Sequence, residues 1–489
     1  MSKPLPKRPR GEASLDLPTQ PLGACEPKQA WIYRELRDRI LGRVLSCGAR
    51  LPSTRSLAER WKVSRTTVAL AYDQLRSEGY LVSQGGSGTY VAAEVPDTLS
   101  TVSPGKAPAT VRSQPVDATA NAVVNQPFVA RIADPSLFPM DAWRKALAAS
   151  ARKASARDLA EVDPMGVGRL REEIAKYLNV ARGIACGAGQ VLVLSGIRHG
   201  LELSARQLLS GADMVAVEDP GYRHAEPIFG RFCRSVLRIP VDGQGCSVAH
   251  LRAAGNVRLV HVTPAHQSPT GVTMPISRRL DLLRWAAEAD RWIIEDDYDS
   301  EFSYDSAPLP ALKSLDSADR VIHCGSFNKT MFGALRIGYI VLPAALVPRF
   351  RQAKHVTGRA NGTLEQLALA SFLASGAFAR HVRRTRLVYA DRRDVVLGAL
   401  RNALGARQLV VTGAQAGFHM VWWPPEGFDV PRFHALAHAA GMQLPAISEF
   451  CERTDLPAGL VIGYTGLSDE AVRRHARALG GVIEETLDA

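Results

Sequence analysis

Five short apolar runs constrain this chain most: VLVLSG (191–196), MVAVEDPGY (214–222), RLVHVTP (258–264), RWIIEDDY (291–298) and RVIHCGSF (320–327). Each closes on small, polar or Gly/Pro residues. Stretches with helical periodicity, such as RHGLELSARQLL and SRRLDLLRWAAEA, lie between them. Buried strands alternating with helices predict an α/β fold, a mostly parallel sheet with helices on both faces. Such folds place ligand chemistry beyond the carboxyl ends of the strands, where these polar clusters fall.

That pattern begins near Phe128, and what precedes it differs in kind. Residues 96–126 contain no aromatic residue, four prolines and no helical or strand period, which reads as a flexible linker. As a coil it would span roughly 30 Å. The chain of 489 residues is long enough for two or three domains. The expected division is a disordered basic tail (1–28), a small module (29–95), the linker (96–126) and a large α/β domain (127–489). Residues 1–95 carry 15 Lys and Arg against 9 Asp and Glu, so half of the chain's net charge of +12 sits in its first fifth. That makes a polyanionic partner worth testing. Seven scattered cysteines without a CxxC pair argue against a disulfide framework and against a zinc or other metal site. With no apolar run near the ~18 residues that span a bilayer, the expectation is a soluble, cytoplasmic protein that does not engage membranes.

The small module has its own signals. Over residues 29–46, Trp31, Ile32, Leu36, Ile40, Leu41 and Val44 share one face of an amphipathic helix. Leu51-Pro52-Ser53-Thr54 reads as a turn and N-cap, opening a short helix from about Arg55 to Trp61. Ser64 caps a second helix, SRTTVALAYDQLRSEG, which stops at Gly79. Two helices joined by a short turn describe a helix-turn-helix, and YLVSQGGSGTYVA reads as a hairpin with Gly88 at its tip. Ser64, Arg65, Thr66 and Thr67 fall on the first turn of the second helix. Hydroxyls, a guanidinium and the helix dipole there can meet phosphates and base edges. In this order the motifs resemble the winged-helix domain of GntR-type regulators over about residues 29–93. The resemblance implies double-stranded DNA as a partner and adds Arg50, Ser53, Arg55 and Gly88 as contacts. A solvated surface explains any single arginine; the ordered set is what carries the reading.

In the large domain, GSFNKTMFGALRIGY places Lys329 just after a strand, with Ser326 before it and Arg336 after it. IIEDDYDSEF places Asp296 and Tyr298 two residues apart at a strand end, facing the same way. An amine nucleophile, an acid for a ring nitrogen, and Arg/Ser for a phosphate are what pyridoxal 5'-phosphate requires. Lys329 would form the Schiff base, Asp296 would keep the pyridine nitrogen protonated, and Tyr298 would reach the phenolic oxygen. Arg336 and Ser326 would hold the phosphate. Ser195, Gly196, Ile197 and Arg198, at the start of the following helix, would add backbone N–H groups and a further cation. A lone lysine is usually a solvated surface group, and EDDYD alone is usually a loop.

From about 128 to 485 the chain resembles the fold type I aminotransferase-like domain of MocR-type regulators. The resemblance rests on LFPMDAW, DPMGVGRLREEIAKYL, EDPGYRH, TPAHQSPTGVTM, IIEDDYDSEFSYD, GSFNKTMFGALRIGY and GYTGLSDE. It implies the same roles for Lys329, Asp296 and Tyr298, with Tyr222 near the ring and His266 and Gln267 close by. It also implies a head-to-tail homodimer and a small-molecule effector. Departures are Asn328 where the family has serine, and Arg198-His199 in place of a glutamine pair. His224 and Glu449 stand where effector-binding relatives carry arginines. With Arg223, these mark the expected effector site. Glu449 would repel a carboxylate and attract an ammonium or hydroxyl group, so simple monocarboxylates such as 4-aminobutyrate are expected to be poor effectors. The preferred ligand is expected to carry a second cationic or neutral polar group, or to be the cofactor itself. The alternative is that Glu449 points to solvent and Arg198, Arg223 or another arginine clamps the carboxylate.

Three functions remain on this reading: a transcription regulator sensing a small amine or the cofactor itself, an aminotransferase with an accessory DNA-binding module, and a DNA-binding protein with an inert dimerisation scaffold. The Lys329, Asp296 and Arg336 set disfavours the third. The altered carboxylate positions disfavour the second.

Overall fold

The structure is a computed structural model that describes residues 26–84, 88–93, 95, 126–160, 163–305, 309–358, 361–453 and 455–488. The chain divides into two compact units between Val116 and Asp117, a point within the stretch read as a linker. Nearly all of the expected tail, the linker apart from Gln126, and the hairpin tip at 85–87 lie outside the described residues. No helix among the described residues is long and apolar enough to cross a membrane.

The first unit contains α1 (Lys28–Leu41), α2 (Thr54–Trp61), α3 (Arg65–Ser77) and the antiparallel pair β1 (Leu81–Gln84) and β2 (Gly88–Val91). Its core joins Ile32 and Leu36 of α1 to Leu57 of α2 and to Val68, Tyr72 and Leu75 of α3. The first helix is shorter than its apolar pattern suggests. Gly42 caps it, Arg43 takes a left-handed conformation, and Val44 ends up 73% exposed rather than on the buried face. The β-branched Val44 merely extended the helical period beyond a glycine stop.

The second unit is built on an eight-stranded sheet in the order β3-β10-β9-β8-β7-β4-β5-β6. Its strands are β3 (Val191–Leu194), β4 (Met214–Asp219), β5 (Ser235–Asp242), β6 (Gly245–Cys246), β7 (Val257–Val262), β8 (Trp292–Asp297), β9 (Val321–Ser326) and β10 (Gly338–Val341). The five strands expected from sequence are all present. β4, β5, β7, β8 and β9 run parallel, whereas β10 is antiparallel to both β3 and β9. Two reversals therefore bring the carboxyl ends of β3 and β9 to the same edge. A smaller antiparallel sheet, β11 (Val410–Thr412), β12 (His419–Trp423) and β13 (Leu460–Gly463), packs with the helices Ala377–Leu404 and Asp469–Leu487 around its own core.

The segment just ahead of the second unit's first helices runs along this small sheet. Gly463 N donates to Phe128 O at 2.8 Å, and a Cβ at Gly463 would strike the backbone of Val129 and Ala130. Further along, Tyr389 OH accepts from Asp134 N and Arg392 holds the Asp134 carboxylate, both at 2.9 Å. Residues 128–134 are thus fixed at both ends, which determines what Arg131 between them can reach.

Candidate functional site

In the first unit, the residues expected to meet DNA come from three stretches. Ser53 and Ser64 are N-caps: their hydroxyls accept from Ser56 N and Thr67 N, each at 3.1 Å. The caps set where α2 and α3 begin. The hydroxyls of Ser64 and Thr67 also bond to each other at 2.6 Å, leaving Thr67 half-buried. Arg65 and Thr66 stand exposed on the first turn of α3, and Arg55 is exposed with only a 3.5 Å approach to Glu59. Arg50 forms an isolated bridge with Tyr90 of β2, and a Cβ on Gly88 would lie 3.0 Å from Arg50 Nε. Gly88, at φ +124°, therefore leaves room for the Arg50 guanidinium against the hairpin. Buried Tyr72 OH donates to Pro52 O at 2.9 Å and ties α3 to the turn that opens α2.

In the second unit a cavity of about 680 Å³ opens at the carboxyl ends of the sheet. Lys329, Asp296, Tyr298, Ser326 and Arg336 line it, as do Gly196, Ile197, Arg198 and Tyr222. Lys329 lies in a single helical turn, Phe327–Thr330, opened by Ser326 at the end of β9; Ser326 Oγ accepts from Asn328 N at 3.2 Å. Its Nζ donates to Arg131 O at 2.6 Å. Burial and then the Arg131 charge hold this amine down at about 8, against the pull of Asp299 and Asp296.

Asp296 lies on β8 and is 6% exposed. Among the described residues the only basic atom near its carboxylate is His261 Nε2, at 3.4 Å and without a hydrogen bond. His261, on neighbouring β7, also lies 6.2 Å from the Tyr222 ring, centroid to centroid. On the other side, Gly196 at φ +131° begins the helix Ile197–Leu208, and a Cβ there would sit 3.3 Å from Asn328 Nδ2. Asn328 Oδ1 in turn accepts from Ile337 N at 2.9 Å. The departure at Asn328 thus braces the turn that carries Lys329. Arg336 adopts a left-handed backbone at φ 53°, and its guanidinium has no protein partner among the described residues.

Ser195, His266 and Gln267, expected at the cofactor, do not line the cavity. Ser195 Oγ lies 3.2 Å from His199 Nδ1, behind the helix start. The Gln267 amide is spent on structure: Nε2 donates to Glu218 Oε2 and Pro220 O, while Oε1 accepts from Thr270. His266 sits one layer behind Tyr298, with Nδ1 at 3.2 Å from its hydroxyl. Its two ring nitrogens face Asp299 Oδ2 at 2.8 Å and Gly413 O at 3.2 Å, an arrangement that suits an imidazolium. Burial opposes that charge, but Asp299 outweighs it and raises the His266 pKa. His266, Asp299 and His419 form a buried group of ligand-type side chains whose ligand atoms lie within 4.8 Å of one another.

The effector residues divide as well. Arg223 and His224 line the cavity. Glu449 does not: it is exposed in a 3-10 turn, and its Oε1 accepts from Ala446 N at 2.9 Å. Its carboxylate therefore faces neither the cavity nor an incoming carboxylate. Burial and the charges of Arg198, Arg223 and Arg131 lower the His224 pKa and favour the neutral imidazole. Arg131 was missed by sequence reasoning, because VARIAD carries no motif. Its guanidinium donates to Ser268 Oγ at 2.8 Å and lies over the rings of Tyr222 and Phe450 at 6.0 and 5.7 Å.

Residues 28–91 match the model of the bacterial regulatory proteins of the gntR family, and residues 132–479 match aminotransferase class I and II. The chain is 34% identical over 463 residues to the probable rhizopine catabolism regulatory protein MocR of Rhizobium meliloti, covering 93% of each chain. It is 33% identical to the pyridoxine biosynthesis transcriptional regulator PdxR of Corynebacterium glutamicum, covering 90% of this chain and 93% of that one. Among solved structures it resembles the kynurenine aminotransferase of Pyrococcus horikoshii, solved in complex with PMP. The TM-score is 0.68 at 25% identity, over 81% of this chain and 99% of that one.

Proposed function

The chain belongs to the MocR-type transcription regulators of the GntR family, and on that premise we propose that its second unit holds pyridoxal 5'-phosphate at Lys329 and answers to a small amine. One observation carries the reading: an amine held at about 8 shares a cavity with a buried carboxylate that has no lysine or arginine within 4 Å among the described residues, its nearest basic atom being His261 Nε2 at 3.4 Å. A buried carboxylate is costly unless paired, and a protonated pyridine nitrogen is a matching partner for Asp296. Tyr298 OH is available to the ring hydroxyl. Ser326, Arg336 and the N–H groups at Gly196 and Ile197 are the donors for a phosphate. When bound, the cofactor supplies an aldehyde for the Lys329 amine and an electron-withdrawing ring.

The remaining work falls to the protein. Lys329 must be neutral to attack, and its surroundings favour that state. An amine effector would compete with Lys329 for the same carbon, and the resulting change in the cavity would be passed to the DNA-binding unit. In the first unit Arg65, Thr66, Arg55 and Arg50 are the expected contacts to duplex DNA. Head-to-tail pairing of two chains belongs to the same proposal.

Borohydride reduction followed by peptide mapping tests the cofactor assignment. The reduced adduct should map to Lys329 and be missing from Lys329→Ala; an adduct that survives in that variant would refute it. A working aminotransferase is the competing reading, favoured by the intact Lys329 and Asp296 pair. Multiple turnover with an amino donor and a 2-oxo acid would establish that alternative.

A further inference from the structure

The mouth of the cavity carries more positive charge than the cofactor accounts for. Arg131, Arg198 and Arg223 all line it, and among the described residues none has a carboxylate within 4 Å. Arg336 and Ser326 are already assigned to the phosphate, and Arg198, expected as a further cation there, is instead drawn toward Tyr222 and His224, so these three guanidiniums form a separate group. They are drawn together by two rings. Arg131 lies over Tyr222 and Phe450, Arg223 lies 5.2 Å over the same Phe450, and Arg198 Nε donates to Tyr222 OH at 3.4 Å.

Arg131 is the most fixed of the three. Its backbone is left-handed, at φ 64°, a conformation that disfavours any side chain but glycine's. The pairing of Gly463 with Phe128 and the bond from Lys329 Nζ to its carbonyl hold it there. Only Nη1 is used, on Ser268 Oγ, so Nε and Nη2 keep donors for a ligand. An arginine held in a costly backbone conformation, set against two aromatic rings and half-satisfied, is preorganised to receive an anion.

We infer that Arg131, with Arg198 and Arg223, forms the specificity-determining clamp for the effector, and that the effector is an amine bearing two acidic groups. This rests on the cofactor-bearing reading above, because the amine is what meets the site beside Lys329. One carboxylate takes one bidentate guanidinium, as Arg131 offers. Arg198 and Arg223 then remain as an uncompensated pair, which a second acidic group neutralises. Glu449, turned away onto Ala446 N, does not oppose it. A diamine would meet three like charges and be rejected.

The test uses the full chain loaded with pyridoxal phosphate. Binding of L-aspartate, L-glutamate, L-2-aminoadipate, 4-aminobutyrate and 1,5-diaminopentane is followed by the visible band and by calorimetry. At least one amino dicarboxylate should bind roughly 10- to 100-fold more tightly than 4-aminobutyrate, the range of one or two charge-assisted bonds, and the diamine should not bind. Arg131→Gly suits φ 64° and should fold at least as well as the parent chain. It should keep the visible band and lose roughly 10- to 100-fold in dicarboxylate affinity. Arg131→Lys, which keeps the charge without the fork, should recover only part.

If no amino dicarboxylate binds more tightly than 4-aminobutyrate, or Arg131→Gly binds all probes as the parent does, the clamp is refuted while the cofactor reading stands. If the parent chain never acquires the visible band, both fall, and the cofactor reading fails first.

Discussion

The acidity of Lys329 is the most exposed point of the cofactor reading. An ordinary lysine amine titrates near 10.5, and this one is held at about 8. At pH 7 the neutral, nucleophilic fraction is then about 9%, against about 0.03% for the ordinary amine, a gain of roughly 300-fold. The same shift has a cost in stability. Between pH 8 and 10.5 the unfolded chain binds more protons at this site than the folded one, so folding should strengthen as pH rises through that window. Below it, the charged, half-buried amine costs up to about 3 kcal/mol, which Lys329→Met should return to the apo-protein. Stopped-flow capture of pyridoxal phosphate by apo-protein, from pH 6 to 10, reads the amine directly. The rate should climb tenfold per pH unit and flatten near pH 8. Arg131 is the second cause of the lowered value, after burial. Its removal in Arg131→Gly should move the break up by about one pH unit and slow capture at pH 7 about tenfold. A break near 10 in the parent chain, or one that stays at 8 without Arg131, would overturn this account of how the site makes a nucleophile.

Three other expectations reach beyond Lys329. If exposed Arg65 meets only a phosphate, Arg65→Ala should lower the salt slope of DNA binding by about 1 and weaken all sequences alike; an unchanged slope and affinity would remove it from the interface. Tyr72→Phe leaves the buried Pro52 carbonyl without its donor and should cost about 1–3 kcal/mol, read as faster hydrogen exchange in α3 of the full chain, whereas unaltered exchange would mean that the bond does not hold α3 to α2. His266, whose pKa is raised by Asp299, should stabilise the second unit fully below its ordinary value near 6.5 and lose that contribution as pH rises through its folded pKa. In His266→Gln that pH dependence should vanish; its persistence would place the proton elsewhere.

What the sequence made legible follows a physical line. β4, β7, β8 and β9 are buried on both faces, so their apolar runs are continuous and announce themselves. β5 is half-exposed and interrupted by Arg238 and Pro240, and β10 is only four residues long, so neither rises above its surroundings. In the site, Lys329, Asp296 and Tyr298 are carried by strand ends whose flanking residues form a motif. Arg131 is not. It enters the cavity because Phe128 pairs with Gly463, more than three hundred residues away, and no local pattern encodes that pairing. Glu449 shows the reverse failure. Its spacing from Ala446 is that of a helix-start residue reaching back to a backbone N–H, a local signal that outweighs any likeness of position. Gln267 is misjudged for a related reason: an amide that satisfies Glu218 and Thr270 has nothing left for a ligand.

These cases share one logic. The groups that perform covalent chemistry must sit within an ångström or so of fixed atoms, and the sheet edge supplies that precision through local sequence. The groups that choose a ligand need only bring charge to the cavity mouth, and any loop that arrives there can supply it. In this chain a half-buried arginine from the segment before the first helices stands at that mouth, while Glu449 in the expected loop braces its own turn. Ligand preference can therefore move between loops without touching Lys329 or Asp296. If Arg131 is the clamp, a site read only by position in a family pattern reaches Lys329 and Asp296 and misses the residue that chooses the ligand.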